Sequence, residues 1–320
     1  TLLGQNVNSY SWSGDKQGVD HQKSVGFKDD PFPSLTKACP PTGGRGGLRQ
    51  LAEDGVVPPS VESSFIKIDK TIDFAALLEM VASVSPLLRV RYSTSHPKDL
   101  SDEVLHAMAR HDNICKHIHL PVQSGSSSVL ERMNRRYDRE WYMGRIEAIN
   151  RILPGCNLST DIIAGFCGET EEEHAETLSL MKEAGFDFAY MFKYSERPGT
   201  KAARHLADDV PEEVKTRRLN EIISLQNRLS AAGKKSDTGK TFEVLAEGLA
   251  KKPISVREDA GIIISRNIPA DGAPTMMGRT SGNKVVVFQA AGINPGDYVN
   301  VRIIRATSAT LIGEFVALKR

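Results

Sequence analysis

Short polar runs follow several apolar stretches of this chain, and their side chains are of the types that bind a polar organic molecule. In chain order these residues are Gln5, Asn6 and Asn8, then Ser95 and His96, then Gln123 and Ser124, then Asp161, and finally Arg197. Amides and hydroxyls exchange hydrogen bonds with sugars and bases, and an arginine binds a carboxylate. The residue types therefore predict a site for a polar organic cofactor.

The elements that must position these residues repeat in the order strand, loop, helix. Strands are predicted at 87–92, 117–122, 158–163 and 186–194. Helices are predicted near 74–84, 138–152, 170–184 and 211–232, with one more that opens at Ser101 and one that runs through Met133. Thr170 and Glu173 form a capping box, and Pro211 is a favoured first residue for the last helix. The repetition predicts a parallel α/β barrel or part of one, with its ligand site at the carboxyl ends of the strands.

The chain begins inside an apolar run, Leu2-Leu3, without an initiator methionine. We interpret TLLGQNVNSY as the end of a buried strand that runs into a polar loop. Residues 11–71 are rich in glycine and proline, which predicts an irregular insertion or loop. The run Gly43-Gly44-Arg45-Gly46-Gly47 lacks the lysine of a phosphate-binding loop, so we interpret it as part of that insertion.

Residues 236–320 show a different pattern, with short β-rich segments between glycines and asparagines. The segments lie near 241–249, 261–266, 284–290, 297–305 and 310–317. Their spacing predicts a small antiparallel β-barrel. This part holds 11 lysines and arginines against 8 aspartates and glutamates, whereas the whole chain has a net charge of only +1. We therefore expect two domains, 1–235 and 236–320, the second with a surface that faces RNA.

The bulk composition is typical of a soluble globular protein, with 40% hydrophobic residues, 25% charged residues and a mean hydropathy of −0.31. No apolar run reaches the roughly 18 residues of a membrane-spanning helix. The four cysteines are Cys39, Cys115, Cys156 and Cys167, and no pair has CxxC spacing. Such sparse cysteines favour a reducing, cytoplasmic location and provide no closed metal site.

Five motifs in order resemble the radical-SAM methylthiotransferase family. They read LLGQNVNSY, RYSTSHPKDLSDEVL, HIHLPVQSGSSSVLERMNRRY, STDIIAGFCGETEEEH and FKYSERPGT. The segments GRTSGNKVVVF and GDYVNVRIIRATSATLIGE resemble the TRAM domain of the same family. The resemblance covers residues 1–10 and about 72–318, and GQNVNSY is similar to the tRNA-modifying branch of the family.

The resemblance implies a partial radical-SAM barrel that lacks its first strand, followed by a TRAM β-barrel. It also implies a reaction in which a methylthio group is added at C2 of an isopentenyl-adenosine beside the tRNA anticodon. The implied cofactors are S-adenosylmethionine (SAM), which supplies a methyl group and a 5′-deoxyadenosyl radical, and two four-iron iron–sulfur clusters. The implied partners are the tRNA anticodon stem-loop and a sulfur donor, with no membrane, and we expect a monomer.

The chemical groups of SAM suggest which candidate residues bind each part of the cofactor. Its ribose hydroxyls suit Gln5, Ser95, Gln123, Ser124 or Asp161. Its carboxylate suits Arg135 or Arg136. Its adenine needs a flat apolar wall, which Phe192 or Ile163 offers.

A second set of residues is predicted to contact the RNA substrate. These are Asn6, Asn8, His96, Arg197, Lys251 and Arg302. Cationic side chains in such a set would contact phosphates. No residue is assigned a catalytic or metal-binding role. His117 and His119 share one face of a strand without a third ligand, so we interpret them as packing or supporting residues.

One departure from the family pattern leaves alternatives open. The radical-SAM signature CxxxCxxC does not occur in these 320 residues. Because such clusters need cysteine thiolates, this chain by itself is expected to be inactive. The alternatives are a cluster-free module that binds SAM or RNA, and a methylthiotransferase that acts on a ribosomal protein.

Overall fold

The computed structural model describes residues 11–12, 72–93, 96–250, 255–258, 261–264 and 273–319. The chain divides into two compact units, residues 1–11 with 72–320, and residues 12–71. Because residues 13–71 lie outside the described residues, the irregular insertion remains a prediction, as does the interpretation of TLLGQNVNSY. After a two-residue strand β1 (Ser11–Trp12), the elements below all belong to the first unit.

The α/β part of this unit, residues 72–235, alternates strands and helices as predicted. Its strands are β2 (Ile72–Asp73), β3 (His117–His119), β4 (Asn157–Ala164) and β5 (Phe188–Lys193). Its helices are α1 (Phe74–Ala82), α2 (Asp102–Arg110), α3 (Ser127–Arg132), α4 (Arg139–Ile152), α5 (Glu171–Ala184), α6 (Lys201–His205) and α7 (Glu212–Lys235). Strands β3, β4 and β5 form a parallel sheet in that order.

The sheet packs one face against the helices. Ile118, Ile162 and Ala189 are buried on that face, in the same apolar cluster as Leu105 and Tyr142 of the helices. Because successive side chains of a strand point to opposite faces, the alternate residues lie on the other side. We call this other side the inner face, and its residues include His117, His119, Ser159, Asp161, Phe188, Tyr190 and Phe192.

The helix boundaries follow the signals in the sequence. The Glu173 amide donates to the Thr170 hydroxyl (3.2 Å), and the Thr170 amide donates to the Glu173 carboxylate (2.9 Å). The predicted capping box at the start of α5 is therefore confirmed. The helix ends at Gly185, whose φ of +65° is a conformation that glycine adopts without steric cost. Helix α7 begins directly after Pro211, as predicted.

The strand predicted at 87–92 is wrong in extent. Val90 bridges Ile114 in parallel, but Leu87 lies in a turn and its side chain is exposed. The physical reason is that this segment bonds to the carboxyl-terminal part of the chain. The Tyr298 hydroxyl donates to the Leu87 carbonyl (3.0 Å), and the Arg89 guanidinium donates to the Arg279 carbonyl (2.7 Å).

The carboxyl-terminal residues form a closed five-stranded barrel, which confirms the predicted β-barrel. Its strands are β6 (Thr241–Leu249), β9 (Thr275–Thr280), β10 (Val285–Gln289), β11 (Tyr298–Ala306) and β12 (Leu311–Leu318). Neighbouring strands are antiparallel except β10 and β12, which pair in parallel. A closed barrel with an odd number of strands cannot alternate direction throughout, so one parallel pair is required.

Two details of the barrel differ from the sequence prediction. The segment predicted at 261–266 is β8 (Gly261–Ile264), which pairs with β7 (Ser255–Glu258) outside the barrel. The fifth barrel strand is instead β9, which the sequence did not indicate. Its central Gly278 weakens the β-strand pattern in the sequence. A Cβ at this position would lie 2.3 Å from the Leu245 carbonyl oxygen, so the close contact between the two strands requires glycine.

Candidate ligand-binding site

The carboxyl ends of β3 and β4 are joined through Gln123. Its amide donates to the Asp161 carbonyl (2.8 Å), and its carbonyl accepts from the Ile163 amide (2.9 Å). The backbone of Gln123 is left-handed, with φ of +74°. This conformation is uncommon outside glycine, and such strain is found most often at functional sites. Gln123 and Asp161, predicted separately from the sequence, therefore lie together at the predicted end of the sheet.

Ser124 lies beside Gln123 but is directed away from the inner face. Its side chain is fully buried, and its hydroxyl lies 3.3 Å from the Thr177 hydroxyl of α5. The same hydroxyl accepts the Ser126 amide (3.2 Å). These contacts give Ser124 a structural role in holding the turn after β3 against α5.

Arg135, Tyr137 and His96 form a cluster near the same end. The Tyr137 hydroxyl donates to the Val122 carbonyl (3.1 Å), and its ring meets the His96 ring edge to face at 5.8 Å. Burial raises the pKa of Tyr137 to about 12 and lowers the pKa of His96, so both are neutral near pH 7. The Nε of Arg135 is buried without a hydrogen-bond partner among the described residues. An unsatisfied guanidinium N–H fits a carboxylate ligand such as that of SAM.

The inner face of the sheet is polar on β3 and β4 and aromatic on β5. The Asp161 carboxylate lies 3.3 Å from Nε2 of His119. Tyr190 is paired with Asp161 in the strand register, and its ring meets the His119 ring at 5.8 Å. Phe188 and Phe192 extend the same aromatic row, and all three rings are exposed. A flat molecule with polar edges, such as an adenosine, fits this combination.

A cavity of about 390 Å³ lies at the amino-terminal end of these strands, between the sheet and the β-barrel. His117, Ser159 and Phe188 line it from the sheet, and Arg279 and Lys284 line it from the barrel. Burial lowers the pKa of His117 to about 4, and the positive charge of Arg91 acts in the same direction. His117 is therefore neutral at physiological pH.

Other predicted residues lie elsewhere or outside the described residues. Gln5, Asn6, Asn8, Ser95 and Lys251 are among those that the structure does not describe. Arg197 is exposed in the turn after β5, and its carbonyl accepts from the Thr200 hydroxyl (2.9 Å). Arg302 is on β11, exposed and paired with Glu314 at 2.7 Å. These two residues are far from Gln123 in sequence, and no described contact joins them to it.

Two tyrosines of the site were not predicted. Tyr190 alternates with Phe188 and Phe192 on one strand, so the period-two pattern could have identified it. Tyr137 follows the Arg135-Arg136 pair, but its hydroxyl bonds to backbone carbonyls sixteen and fifteen residues away. No local pattern predicts such a contact.

The described residues do not fit an iron–sulfur cluster. No group of three or more His, Cys, Asp or Glu side chains with the arrangement of a metal site occurs among them. Cys115 and Cys167 are buried, and burial raises the pKa of Cys115, which disfavours the thiolate form that binds iron.

Comparison with known proteins gives the class to which this architecture belongs. Residues 65–181 match the Radical SAM superfamily model, and residues 273–316 match the TRAM domain model. The chain also overlaps coproporphyrinogen III oxidase from Escherichia coli, described as a radical SAM enzyme, with a TM-score of 0.41 and 15% identity over 71% of this chain and 51% of that one. The two family-model matches and the parallel sheet followed by a β-barrel define a radical SAM protein with a TRAM domain.

The similar curated sequences narrow the family. The chain is 56% identical over 275 residues to a protein of Phocaeicola vulgatus, covering 84% of this chain and 56% of that one. It is 46% identical over 315 residues to a protein of Amoebophilus asiaticus, covering 98% and 52%. Both are named tRNA-2-methylthio-N(6)-dimethylallyladenosine synthase. The chain belongs to the radical-SAM methylthiotransferase family, and it spans about half the length of the curated relatives it matches.

The structure also bears on membrane association. In the part of the chain that it describes, no helix combines the length and apolar character needed to cross a bilayer.

Proposed function

We propose that this chain is the SAM-binding and RNA-binding part of a tRNA methylthiotransferase. The proposed reaction adds a methylthio group at C2 of an isopentenyl-adenosine beside the anticodon, in the cytoplasm. The observation that carries the proposal is the identity of 46–56% to proteins of that name over at least 77% of this chain. The inner face of the sheet supports it, because its polar and aromatic rows suit an adenosine.

The residues at the carboxyl ends of the strands would hold SAM. When bound, SAM supplies a methyl group and a 5′-deoxyadenosyl radical. Arg135 would bind the carboxylate through its unsatisfied guanidinium, and Gln123 and Asp161 would accept from ribose hydroxyls. Phe192 would lie against the adenine. The protein's contribution is thus to bind and orient the reacting groups.

The β-barrel part would contact the RNA. Arg302 and Arg305 lie on one strand, β11, and Arg302 is exposed despite its ion pair with Glu314. An exposed ion pair contributes about 0–1 kcal/mol, so a phosphate can displace the carboxylate at low cost. We further propose that the protein acts as a monomer with a separate sulfur donor.

Binding of a synthetic anticodon stem-loop to the chain tests this assignment without activity. We expect the logarithm of the binding constant for the stem-loop to fall linearly with the logarithm of salt concentration, because phosphate contacts release counterions. Arg302→Ala should weaken binding and reduce the salt slope by about one. The matched control is Arg217→Ala, another exposed and ion-paired arginine, located on α7. Equal affinity for the stem-loop and for a random single strand of the same length, with no effect of Arg302→Ala, would contradict the assignment.

A further inference from the structure

The cavity of about 390 Å³ between the sheet and the β-barrel has an excess of positive charge in its wall. Three cationic side chains line it: Lys234 from α7, Arg279 from β9, and Lys284 directly before β10. Among the described residues that line the cavity, Asp187 is the only acid. Small-molecule sites in proteins measure roughly 300–1,000 Å³, so the cavity is large enough for a ligand. The charge of its wall favours an anionic one.

The carboxylate of Asp187 is already engaged by the protein. Its Oδ2 accepts from the Leu158 amide (2.9 Å), and its Oδ1 lies 3.7 Å from Nζ of Lys284. Lys284 also donates to the carboxylate of Asp237 (2.6 Å), and both of these side chains are largely buried. The charge of Lys284 is therefore balanced within the protein.

Lys234 has no such balance. It is only 7% exposed, and its ammonium donates to the Ser308 carbonyl (2.8 Å). An ammonium has three N–H donors, and no carboxylate among the described residues forms an ion pair with this one. Burial lowers the pKa of Lys234, and the charge of Lys284 acts in the same direction, whereas Asp187 and Asp237 raise it. Because a buried charge without a partner is costly, an anion in the cavity would stabilise the charged form of Lys234.

Arg279 is available to the same anion. Its Nε donates to the Glu247 carboxylate (3.3 Å), and its Nη1 donates to the Asn283 side-chain oxygen (3.2 Å). Its Nη2 has no hydrogen-bond partner among the described residues. The side chains of Arg279 and Glu247 are 37% and 36% exposed, and an ion pair so open to water is weak. A phosphate, which accepts two guanidinium N–H donors at once, competes well for such an arginine.

The cavity also has an aromatic wall. The rings of Phe188 and Tyr190 line it, and both are exposed. The two rings meet edge to face with their centroids 4.9 Å apart. Cationic side chains beside exposed aromatic rings are the combination that binds nucleotides, because the base stacks on a ring and the phosphate pairs with the cations. A simple inorganic anion would leave the rings without a partner.

We propose that this cavity binds a single nucleotide, with its phosphate at Lys234 and Arg279 and its base against Phe188. The nucleotide is either free or one residue of an RNA strand, since both present the same phosphate and base. None of Gln123, Arg135 and Phe192 lines the cavity, so the site is distinct from the one proposed for SAM. It does not rest on the proposed function.

Calorimetry of the chain with three probes tests the ligand class. The probes are uridine 5′-monophosphate (UMP), uridine and inorganic phosphate. We expect UMP to bind at least about tenfold more tightly than either of the others, because uridine lacks the charged contact and phosphate lacks the stacked base. The uracil base avoids the adenine that SAM presents, and S-adenosylhomocysteine should not displace UMP.

Substitutions then locate the site. Lys234→Gln removes the charge but keeps an N–H donor for Ser308, and it should weaken UMP binding at least about tenfold. Its control is Lys235→Gln, because Lys235 is the next residue of α7 and is exposed. Arg279→Gln is a second charge variant, at a more exposed side chain, and should weaken UMP binding in the same way.

The aromatic wall has its own variant. Phe188→Leu keeps an apolar side chain but removes the ring, and it should weaken UMP binding about three- to tenfold. Phe315→Leu is the control, since Phe315 is also an exposed phenylalanine on a strand, in the β-barrel. The affinity for inorganic phosphate should be the same in Phe188→Leu as in the unchanged chain.

The outcomes separate the sources of the nucleotide and the two proposals. An anticodon stem-loop that displaces UMP identifies RNA as the source, and a stem-loop that binds without displacing it identifies a free nucleotide. UMP binding that depends on Lys234, together with no binding of the stem-loop, leaves this site standing and refutes the RNA assignment. UMP that binds no more tightly than phosphate, or that binds equally well to Lys234→Gln and Arg279→Gln, would overturn the nucleotide site.

Discussion

At the scale of single residues, Gln123 shows what the sequence can and cannot predict. Its amide side chain after an apolar run identified it as a ligand candidate. Its left-handed backbone, with φ of +74°, could not be predicted, since it arises from the two hydrogen bonds to Asp161 and Ile163 on the neighbouring strand. Ser124 is also a polar residue after the same apolar run, and the sequence marks it as a ligand candidate in the same way. Its hydroxyl nevertheless lies against that of Thr177 in α5. Adjacent residues in a sequence motif thus have separate roles.

The strained backbone at Gln123 makes a testable prediction about stability. A glycine variant should be more stable than an alanine variant there, the reverse of the usual order. An L-residue in the left-handed region costs roughly 1–2 kcal/mol, which glycine avoids. We therefore expect Gln123→Gly to be more stable than Gln123→Ala by about 1 kcal/mol in urea unfolding, even though glycine has the larger entropy loss. At the exposed helical control Glu147, the glycine variant should be less stable than the alanine variant by about the same amount. The same order at both positions would show that Gln123 is not strained.

At the scale of elements, helices and central strands were predicted well, because capping boxes and apolar periodicity are local. The segment 87–92 and strand β9 were not, because their conformation depends on distant partners. Arg89 bonds to the Arg279 carbonyl, and Gly278 is required by the Leu245 backbone. The aromatic row of β5 is only partly predictable from the sequence. Its period of two is visible there, but the exposure of the rings depends on how the sheet is assembled.

Glu173 links two of these elements and makes the stability of the chain depend on pH. Its carboxylate caps α5 and pairs with Arg132 of α3 at 2.7 Å. The Arg132 hydrogen bond lowers the pKa of Glu173 from 4.5 to about 2. Because the folded-state pKa is lowered, its contribution is present above pH 4.5 and is lost as the pH falls toward 2.

We expect Glu173→Gln to lower the free energy of unfolding at pH 7 by about 1–2 kcal/mol, because it weakens both the cap and the ion pair. The difference from the unchanged chain should shrink between pH 4.5 and pH 3 in urea titrations. Glu172→Gln is the control, as Glu172 is an exposed first-turn acid of the same helix with no ion pair among the described residues. A pH-independent loss in Glu173→Gln would contradict the assignment.

At the scale of the whole described unit, the β-barrel part contacts the amino-terminal end of the sheet. The Lys116 amide donates to the Ser281 hydroxyl (3.0 Å), and Lys284 pairs with Asp237 at 2.6 Å and approaches Asp187 at 3.7 Å. A Cβ at Gly282 would lie 1.9 Å from Oδ1 of Asn157 at the start of β4. The sequence predicted each part, but nothing local in residues 281–284 indicated that this turn joins them.

This close approach makes Gly282 sensitive to the smallest side chain. We expect Gly282→Ala to destabilise the chain by about 1 kcal/mol, at the low end of the range for added volume, because the Asn157 side chain must turn aside. Calorimetry should show a lower Tm or two separated transitions. Gly144→Ala in α4 is the control, since a Cβ there meets nothing within 4 Å and alanine favours the helix. A Gly282→Ala variant as stable as the unchanged chain would show that the sheet and the β-barrel are not in close contact at this point.

The central proposal is that this chain is part of a protein that modifies the adenosine beside a tRNA anticodon, and the modified nucleoside itself tests it most directly. Because this chain by itself is expected to be inactive, the complete gene that contains its coding sequence would be expressed, in a bacterium whose tRNA contains isopentenyl-adenosine but no methylthio derivative. Mass spectrometry of nucleosides from total tRNA should then detect 2-methylthio-isopentenyl-adenosine, and the Asp161→Asn variant should reduce it at least tenfold, as expected for loss of a charged hydrogen bond of about 1.5–3 kcal/mol. Unmodified isopentenyl-adenosine together with methylthiolation of a ribosomal protein would contradict the account.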